Sequence, residues 1–267
     1  MKTLIRSLVA TCAALVAGAA AATPIYPDFI VDTSALGGSG KLERVVANDI
    51  SGQYHEQLTF TSASTFVVTL DFVAQGFNYD DTDASLSKSF TAGQSGLGAT
   101  YGLMAILNGS GTYSTSGGVT TFSLNPGGDL TLSYDLGANA TFDAPAVPGG
   151  AFTINSHGDV ITTLATGSSV TGNGSVGCSA PNLCGAFGQA TTFNLTPAGS
   201  TFFVAPNPFY TLSLQSGQVE GFPVAVGTTV TSSGSLNAVF AVPEPGSLTM
   251  MGLALVGFMA VRQRRRS

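Results

Sequence analysis

Residues 65–73 read TFVVTLDFV, and this stretch indicates the fold most clearly. Its large apolar side chains fall on alternate positions, which is typical of a strand with one buried face. They are Phe66, Val68, Leu70 and Phe72. The residues between them would lie on the opposite face of the same strand.

Short runs rich in Val, Thr, Phe and Tyr recur between clusters of Gly, Asn and Pro. They predict further strands at 54–60, 102–107, 129–136, 159–165, 190–195, 210–214 and 237–242. Gly117-Gly118 separates two more, 111–116 and 119–124, and predicts a tight hairpin turn. Because long helices do not alternate with these strands, a parallel α/β sheet is disfavoured. The pattern predicts an all-β fold, either an antiparallel sandwich or a barrel-like domain, and we favour a single antiparallel β-sandwich or jelly-roll-like domain.

The N-terminus predicts a secretory signal peptide over residues 1–22. A charged start and an apolar run precede Ala20 and Ala22, the small residues that a signal peptidase reads. Cleavage after Ala22 would leave a β-rich body over residues 23–242.

The last 25 residues, 243–267, have three parts in a fixed order. Pro243-Glu244-Pro245 cannot continue a helix or a central strand, because proline lacks a backbone N–H. The apolar stretch 246–261 follows, and its 16 residues are fewer than the roughly 20 that span a membrane. It predicts a short transmembrane segment that inserts transiently into the inner membrane. The basic cluster behind it would stay in the cytoplasm. It consists of Arg262, Arg264, Arg265 and Arg266.

This order of motif, span and basic cluster resembles the PEP-CTERM sorting signal of Gram-negative bacteria that make exopolysaccharide. The resemblance implies that an exosortase recognises Pro243, Glu244 and Pro245 and removes the tail. The body would then reach the cell surface or the extracellular matrix. The alternative is an ordinary tail anchor in which the Pro-Glu-Pro sequence arises by chance.

Parts of the body resemble one subgroup, the flocculation-associated PEP-CTERM proteins. The similar segments are 101–105, 109–113, 184–188 and 205–210. The resemblance brings no catalytic residue with it. It implies a non-enzymatic role in cell aggregation, as in floc or biofilm formation, together with exopolysaccharide.

The charge of the body limits its partners. Residues 23–242 contain three Lys and Arg and fourteen Asp and Glu, a net charge of −11. Such a surface disfavours nucleic acid, because binding to phosphates requires Lys and Arg. It also disfavours ion pairs with an acidic polysaccharide, so neutral hydrogen bonds or a bridging divalent cation would be needed.

Two cysteines remain after processing, Cys178 and Cys184. In an oxidising compartment they are predicted to form a disulfide. The alternative, a metal site with two cysteines, lacks the further ligands that zinc needs.

An acidic cluster is the candidate cation site. Asp80, Asp81 and Asp83 supply the oxygen ligands that Ca²⁺ prefers, and Asn78 adds an amide. The alternative is a solvated acidic loop. Asp135 and Asn139, which flank Gly137, form a weaker candidate of the same kind. No other cofactor is predicted.

Motifs for catalysis fail on their spacing or their context. His55-Glu56 begins a zinc motif, but position 59 is Thr, so His55 reads as a surface residue. The segment 172–177 matches G-x-G-x-x-G, but no helix follows it. The chain is therefore predicted not to be an enzyme. The alternative function is a carbohydrate-binding module with a defined sugar site, with or without Ca²⁺. A secreted hydrolase is a third hypothesis.

Overall fold

The computed structural model describes residues 26–36, 43–81, 85–177, 183–216 and 219–241. The strands are β1 (Phe29–Asp32), β2 (Arg44–Ala47), β3 (Asp49–Phe60), β4 (Thr65–Tyr79), β5 (Lys88–Phe90), β6 (Tyr101–Ser116), β7 (Val119–Leu136), β8 (Thr141–Asp143), β9 (Thr153–Asn155), β10 (Ile161–Val176), β11 (Leu183–Thr191), β12 (Asn194–Leu195), β13 (Phe203–Ala205), β14 (Thr211–Ser216), β15 (Val219–Glu220) and β16 (Thr229–Ala241). The helical elements are a 3₁₀ turn (Thr33–Leu36), α1 (Ala92–Ser95) and α2 (Pro197–Phe202). The all-β prediction is confirmed.

Eight of the strands form a closed antiparallel barrel. In chain order they are β3, β4, β6, β7, β10, β11, β14 and β16, and each pairs with the next. The last strand, β16, pairs back with the first, β3. The barrel is therefore a simple up-and-down meander in which neighbours in the chain are neighbours in the wall.

The predicted sandwich or jelly roll is wrong. The ladder between 171–175 of β10 and 186–190 of β11 completes a single ring of strands, where a sandwich would have two facing sheets. Alternating apolar residues identify a buried face, but they are the same whether that face meets a second sheet or lines a closed barrel. The pattern therefore does not predict that the sheet closes into a barrel.

Strand β4 shows how the pattern sets the inside of the barrel. The four alternating apolar residues of the predicted strand 65–73 are all buried, with at most 4% exposure. They are Phe66, Val68, Leu70 and Phe72. The predicted hairpin is also confirmed, since Gly117 and Gly118 join β6 to β7 with φ angles of 59° and 82°.

The two ends of the barrel differ. We call the end where β16 finishes the proximal end and the opposite end, near Gly117 and Gly118, the distal end. At the proximal end a three-stranded sheet of β13, β1 and β2 packs on the lumen. Its Phe29 ring lies 4.9 Å from that of Phe240 and 6.5 Å from that of Phe77, in edge-to-face contacts.

A glycine on β6 permits tight packing at the distal end. The Phe66 ring lies over Gly111, so a Cβ atom there would come within 2.6 Å of the ring and would also meet the Ser123 carbonyl oxygen. Real Cβ atoms do not approach this closely, so any larger residue at this position would force the wall or the ring to move.

We expect Gly111→Ala to lower the free energy of unfolding by about 1–3 kcal/mol, because the ring and the ladder must shift. Urea unfolding of the purified chain measures this. The control is Gly188→Ala on β11, where the nearest heavy atom to an added Cβ is 4.0 Å away. Equal stability of the two variants would contradict the packing described here.

Candidate functional site

The distal half of the lumen contains a cavity of about 50 Å³, which we call the lumen cavity. Gly172 and Gly174 of β10 form part of its wall and pair with Gln189 and Phe187 of β11. Because the glycines have no side chains, they leave space inside the barrel at this level. The volume has room for about three or four water molecules.

Glu56 is the only ionisable residue among the described residues that line the lumen cavity. It faces inward because alternate residues of a strand share one face, and Glu56 lies two residues from both of the buried residues Tyr54 and Leu58 on β3. Burial raises the pKa of Glu56 from 4.5 to about 7, and no charge or hydrogen bond among the described residues opposes the shift. The carboxyl group thus lies in the barrel without a polar partner from the described chain.

Two further polar side chains belong to the same part of the barrel: Gln189 also lines the lumen cavity, and Tyr54 lies two residues before Glu56 on β3. The Gln189 side chain is buried, and its Oε1 atom has no hydrogen-bond partner in the described part of the chain. Tyr54 packs edge-to-face on Phe187, with ring centroids 5.4 Å apart. Burial, aided by the nearby charge of Glu56, raises the pKa of Tyr54 to about 12, and a hydrogen bond with Ser232 opposes the shift. The lumen cavity therefore presents an unpaired carboxyl group and an unpaired amide oxygen.

Neither Glu56 nor Gln189 was expected at a site, because the zinc motif that His55-Glu56 begins is incomplete and Gln189 belongs to no motif. The available signal was the alternation of inward-facing and outward-facing residues along each strand. Glu56 interrupts an inward-facing series on β3 that is otherwise apolar or aromatic, and Gln189 follows the inward-facing Phe187 by two residues. A polar residue at such a position enters the lumen rather than the solvent.

His55 lies on the outer face of the barrel, as its reading as a surface residue predicted. Its side chain is 60% exposed, and Nδ1 is 3.0 Å from Oδ1 of the buried Asp71 on β4. Burial raises the pKa of Asp71, while its contact with His55 opposes the rise. Sequence reasoning missed this partner because it lies across a strand pair rather than nearby in the chain.

The acidic cluster is only partly described. The backbone of Asp80 is held by Asn48, which donates from Nδ2 to its carbonyl and accepts from its N–H. Tyr79 donates its hydroxyl to Oδ2 of Asp81 at 3.3 Å. Asp83 lies outside the described residues. No group of three His, Cys, Asp or Glu residues suited to a metal occurs within the described ranges, so the Ca²⁺ site stays a prediction.

Asp135 and Asn139 are brought together by the backbone. Oδ2 of Asp135 accepts hydrogen bonds from the N–H groups of Asn139 and Ala140, each at 2.8 Å. These bonds hold the turn after β7. They explain the proximity of the two residues without a cation.

The other predicted sites fall outside the described residues. They are Ala20, Ala22, Cys178, Pro243, Glu244, Pro245, Arg262, Arg264, Arg265 and Arg266, together with the side chain of Cys184. The predicted span, 246–261, lies outside as well. Within the described residues, no helix has the length and apolar character to cross a membrane.

The structure does place the segment that leads to the tail. Strand β16 continues to Ala241, which pairs with Thr211 at the proximal end of the barrel. Phe240 is buried there against Phe29. The Pro243-Glu244-Pro245 motif thus begins two residues after the last paired residue of the barrel.

Comparison with known proteins identifies this tail. Residues 241–266 match the PEP-CTERM protein-sorting motif. The motif implies processing by an exosortase and an exported protein that crosses the inner membrane and ends at the cell surface. No curated protein and no solved structure matched the chain significantly.

We expect Glu56→Gln to raise the free energy of unfolding at pH 8 by about 1–3 kcal/mol. Since the folded pKa of Glu56 is above its unfolded value, the folded state binds the proton more tightly. Stability therefore falls as the pH rises from about 4.5 to about 7, and the variant avoids this loss. Urea unfolding at pH 4.5 and pH 8 measures the difference.

The control is Glu43→Gln, which removes an exposed carboxylate from the same chain. The other buried carboxyl groups are present in both proteins and cancel in the comparison. A gap between wild type and Glu56→Gln that is equal at both pH values would contradict the assignment.

Proposed function

We propose that this chain is an exported, exosortase-processed protein that promotes cell aggregation at the cell surface or in the extracellular matrix, together with exopolysaccharide. The observation that carries the proposal is the sorting motif at 241–266. The resemblance of body segments to flocculation-associated proteins supports the role in aggregation. In this proposal the barrel is a non-enzymatic surface module.

The geometry of the proximal end fits this processing route. Four residues, 242–245, separate β16 from the predicted span, and they can reach at most about 14 Å. Before cleavage the proximal end would therefore lie next to the membrane and the distal end would face away from it. Cleavage at the motif would leave every strand of the barrel in the released body.

The outer face of β16 offers neutral hydrogen-bonding groups for a polysaccharide. From 229 to 237, its outward residues are exposed and polar but uncharged. They are Thr229, Thr231, Ser233, Ser235 and Asn237. On the neighbouring β3, Gln53 and Gln57 extend this face. Such a surface can bond sugar hydroxyls without the ion pairs that the net negative charge disfavours.

The alternative function is a carbohydrate-binding module with a defined sugar site. It needs exposed aromatic platforms on which sugar rings stack. The large hydrophobic side chains that are strongly exposed in the described ranges are all aliphatic. We therefore favour contact through the hydroxyl-rich face of β16 over binding at an aromatic platform.

We expect Pro243→Ala combined with Glu244→Ala to block processing and leave a full-length C-terminus in the inner membrane. Export through the N-terminal signal should continue, because the tail acts only on release. Intact-mass analysis of wild-type protein from the matrix should find a chain that lacks the arginine cluster. Matrix protein that still carries Arg264 and Arg265 would show that the tail is an ordinary anchor.

We expect deletion of the gene to reduce floc formation while polysaccharide output stays unchanged. Complementation with Ser233→Ala and Ser235→Ala should restore flocs only in part, since hydroxyl groups are lost from the outer face of β16. The control is Thr112→Ala with Ser123→Ala, which removes two exposed hydroxyls from β6 and β7. Normal flocs in the deletion strain would refute the role in aggregation and leave the processing result unaffected.

A further inference from the structure

The polar atoms that the lumen cavity leaves unpaired select for a hydrogen-bond donor. The Oε1 atom of Gln189 is an acceptor, and the Glu56 carboxylate is an acceptor when ionised. No Lys, Arg or His residue is among the described residues of the wall. A ligand that satisfies both groups must therefore bring its own N–H or O–H donors, and a positive charge would compensate Glu56.

Aromatic rings make up much of the remaining wall. Phe66, Phe122, Phe187 and Phe222 all line the lumen cavity. Phe66 and Phe122 meet edge-to-face with centroids 5.6 Å apart, and Phe222 lies 5.9 Å from Phe122. The faces of such rings attract cations, most strongly where water is excluded. The aromatic wall thus favours the same charge as the two acceptors.

Phe222 lies between the lumen cavity and the outside. It lines the cavity and also two clefts of about 260 and 330 Å³ at the distal end. The ladder between β14 and β16 ends at Ser216 and Leu236, although β16 stays paired with β3 as far as Thr229. Among the described residues, β16 before Leu236 is therefore in a ladder on its β3 side only, and Phe222 lines both the lumen cavity and the two clefts beside it.

From this arrangement we infer that the lumen cavity is a binding site for a small organic ammonium ion. Its charged head lies between Glu56, Gln189 and the phenylalanine rings, and its short apolar body points toward Phe222. The ammonium group supplies the donors that both unpaired acceptors lack. The raised pKa of Glu56 agrees with a carboxyl group that gains stability when a cation is bound.

The test is titration calorimetry on the full chain in a nonionic detergent, with n-butylammonium as the probe. n-Butanol and butyrate serve as matched neutral and anionic probes of the same length. We expect n-butylammonium to bind at least about tenfold more tightly than n-butanol, because only the cation pairs with the carboxylate. Butyrate should not bind. Nuclear Overhauser contacts between the probe and the Phe122 and Phe187 rings should place it in the lumen.

Two variants test the residues, each with a matched control. Glu56→Gln should weaken n-butylammonium binding at least about tenfold, and Gln189→Met should weaken it by a smaller factor. Glu43→Gln and Gln75→Met, both at exposed positions and the second on β4, should leave it unchanged. Equal binding of n-butanol, unchanged binding by Glu56→Gln, or no binding of n-butylammonium at millimolar concentration would each overturn the inference. If a variant does not fold, the comparison of the three probes on the unmodified chain decides.

Discussion

The ladder between β10 and β11 is the constraint on which the rest of the structure depends. Without it, the strands from β3 to β16 would form an open sheet with two unpaired edges. With it, every barrel strand has a partner on both sides, and the inward side chains enclose a lumen. The ladder needs glycine at two inward positions, since a Cβ atom at Gly172 would meet the Gly188 carbonyl and one at Gly174 would lie 3.2 Å from that of Ala186. The residues that permit closure also leave the lumen cavity.

Closure explains why the two halves of the lumen differ. An eight-stranded barrel has an interior just wide enough for side chains to fill. At the proximal end, Phe240 of the barrel wall helps to fill it, and Phe29 and Phe203 add rings from the three-stranded sheet. Toward the distal end, glycines replace large side chains on one wall. A carboxyl group is tolerated there because the space is large enough for small polar molecules to accompany it.

The sequence predicts the local elements better than their assembly. The alternation in 65–73 and the glycine pair at 117–118 identify β4 and a hairpin, because both signals depend on backbone geometry within a few residues. Barrel closure needs all the ladders of the ring at once, including the one between β16 and β3, the last and first barrel strands of the chain, so the periodicity within single strands does not reveal it. For the same reason Asp71 could not be matched with His55. Glu56 shows both signals in conflict. Its place in the alternation of β3 puts its side chain inside the barrel, although a glutamate is usually found on the surface.

The folded body and the sorting tail are structurally separate, because the barrel ends before the motif begins. Phe240 is the last inward residue of β16, and its ring is held by Phe29, Phe193 and Phe203. Removing Phe240 would open a cavity at the proximal end and cost about 3–5 kcal/mol. The ladders described for the barrel end at Ala241, before the motif. Selection can therefore act on the sorting motif without cost to the fold, and a cut at the motif can release the body with its lumen intact.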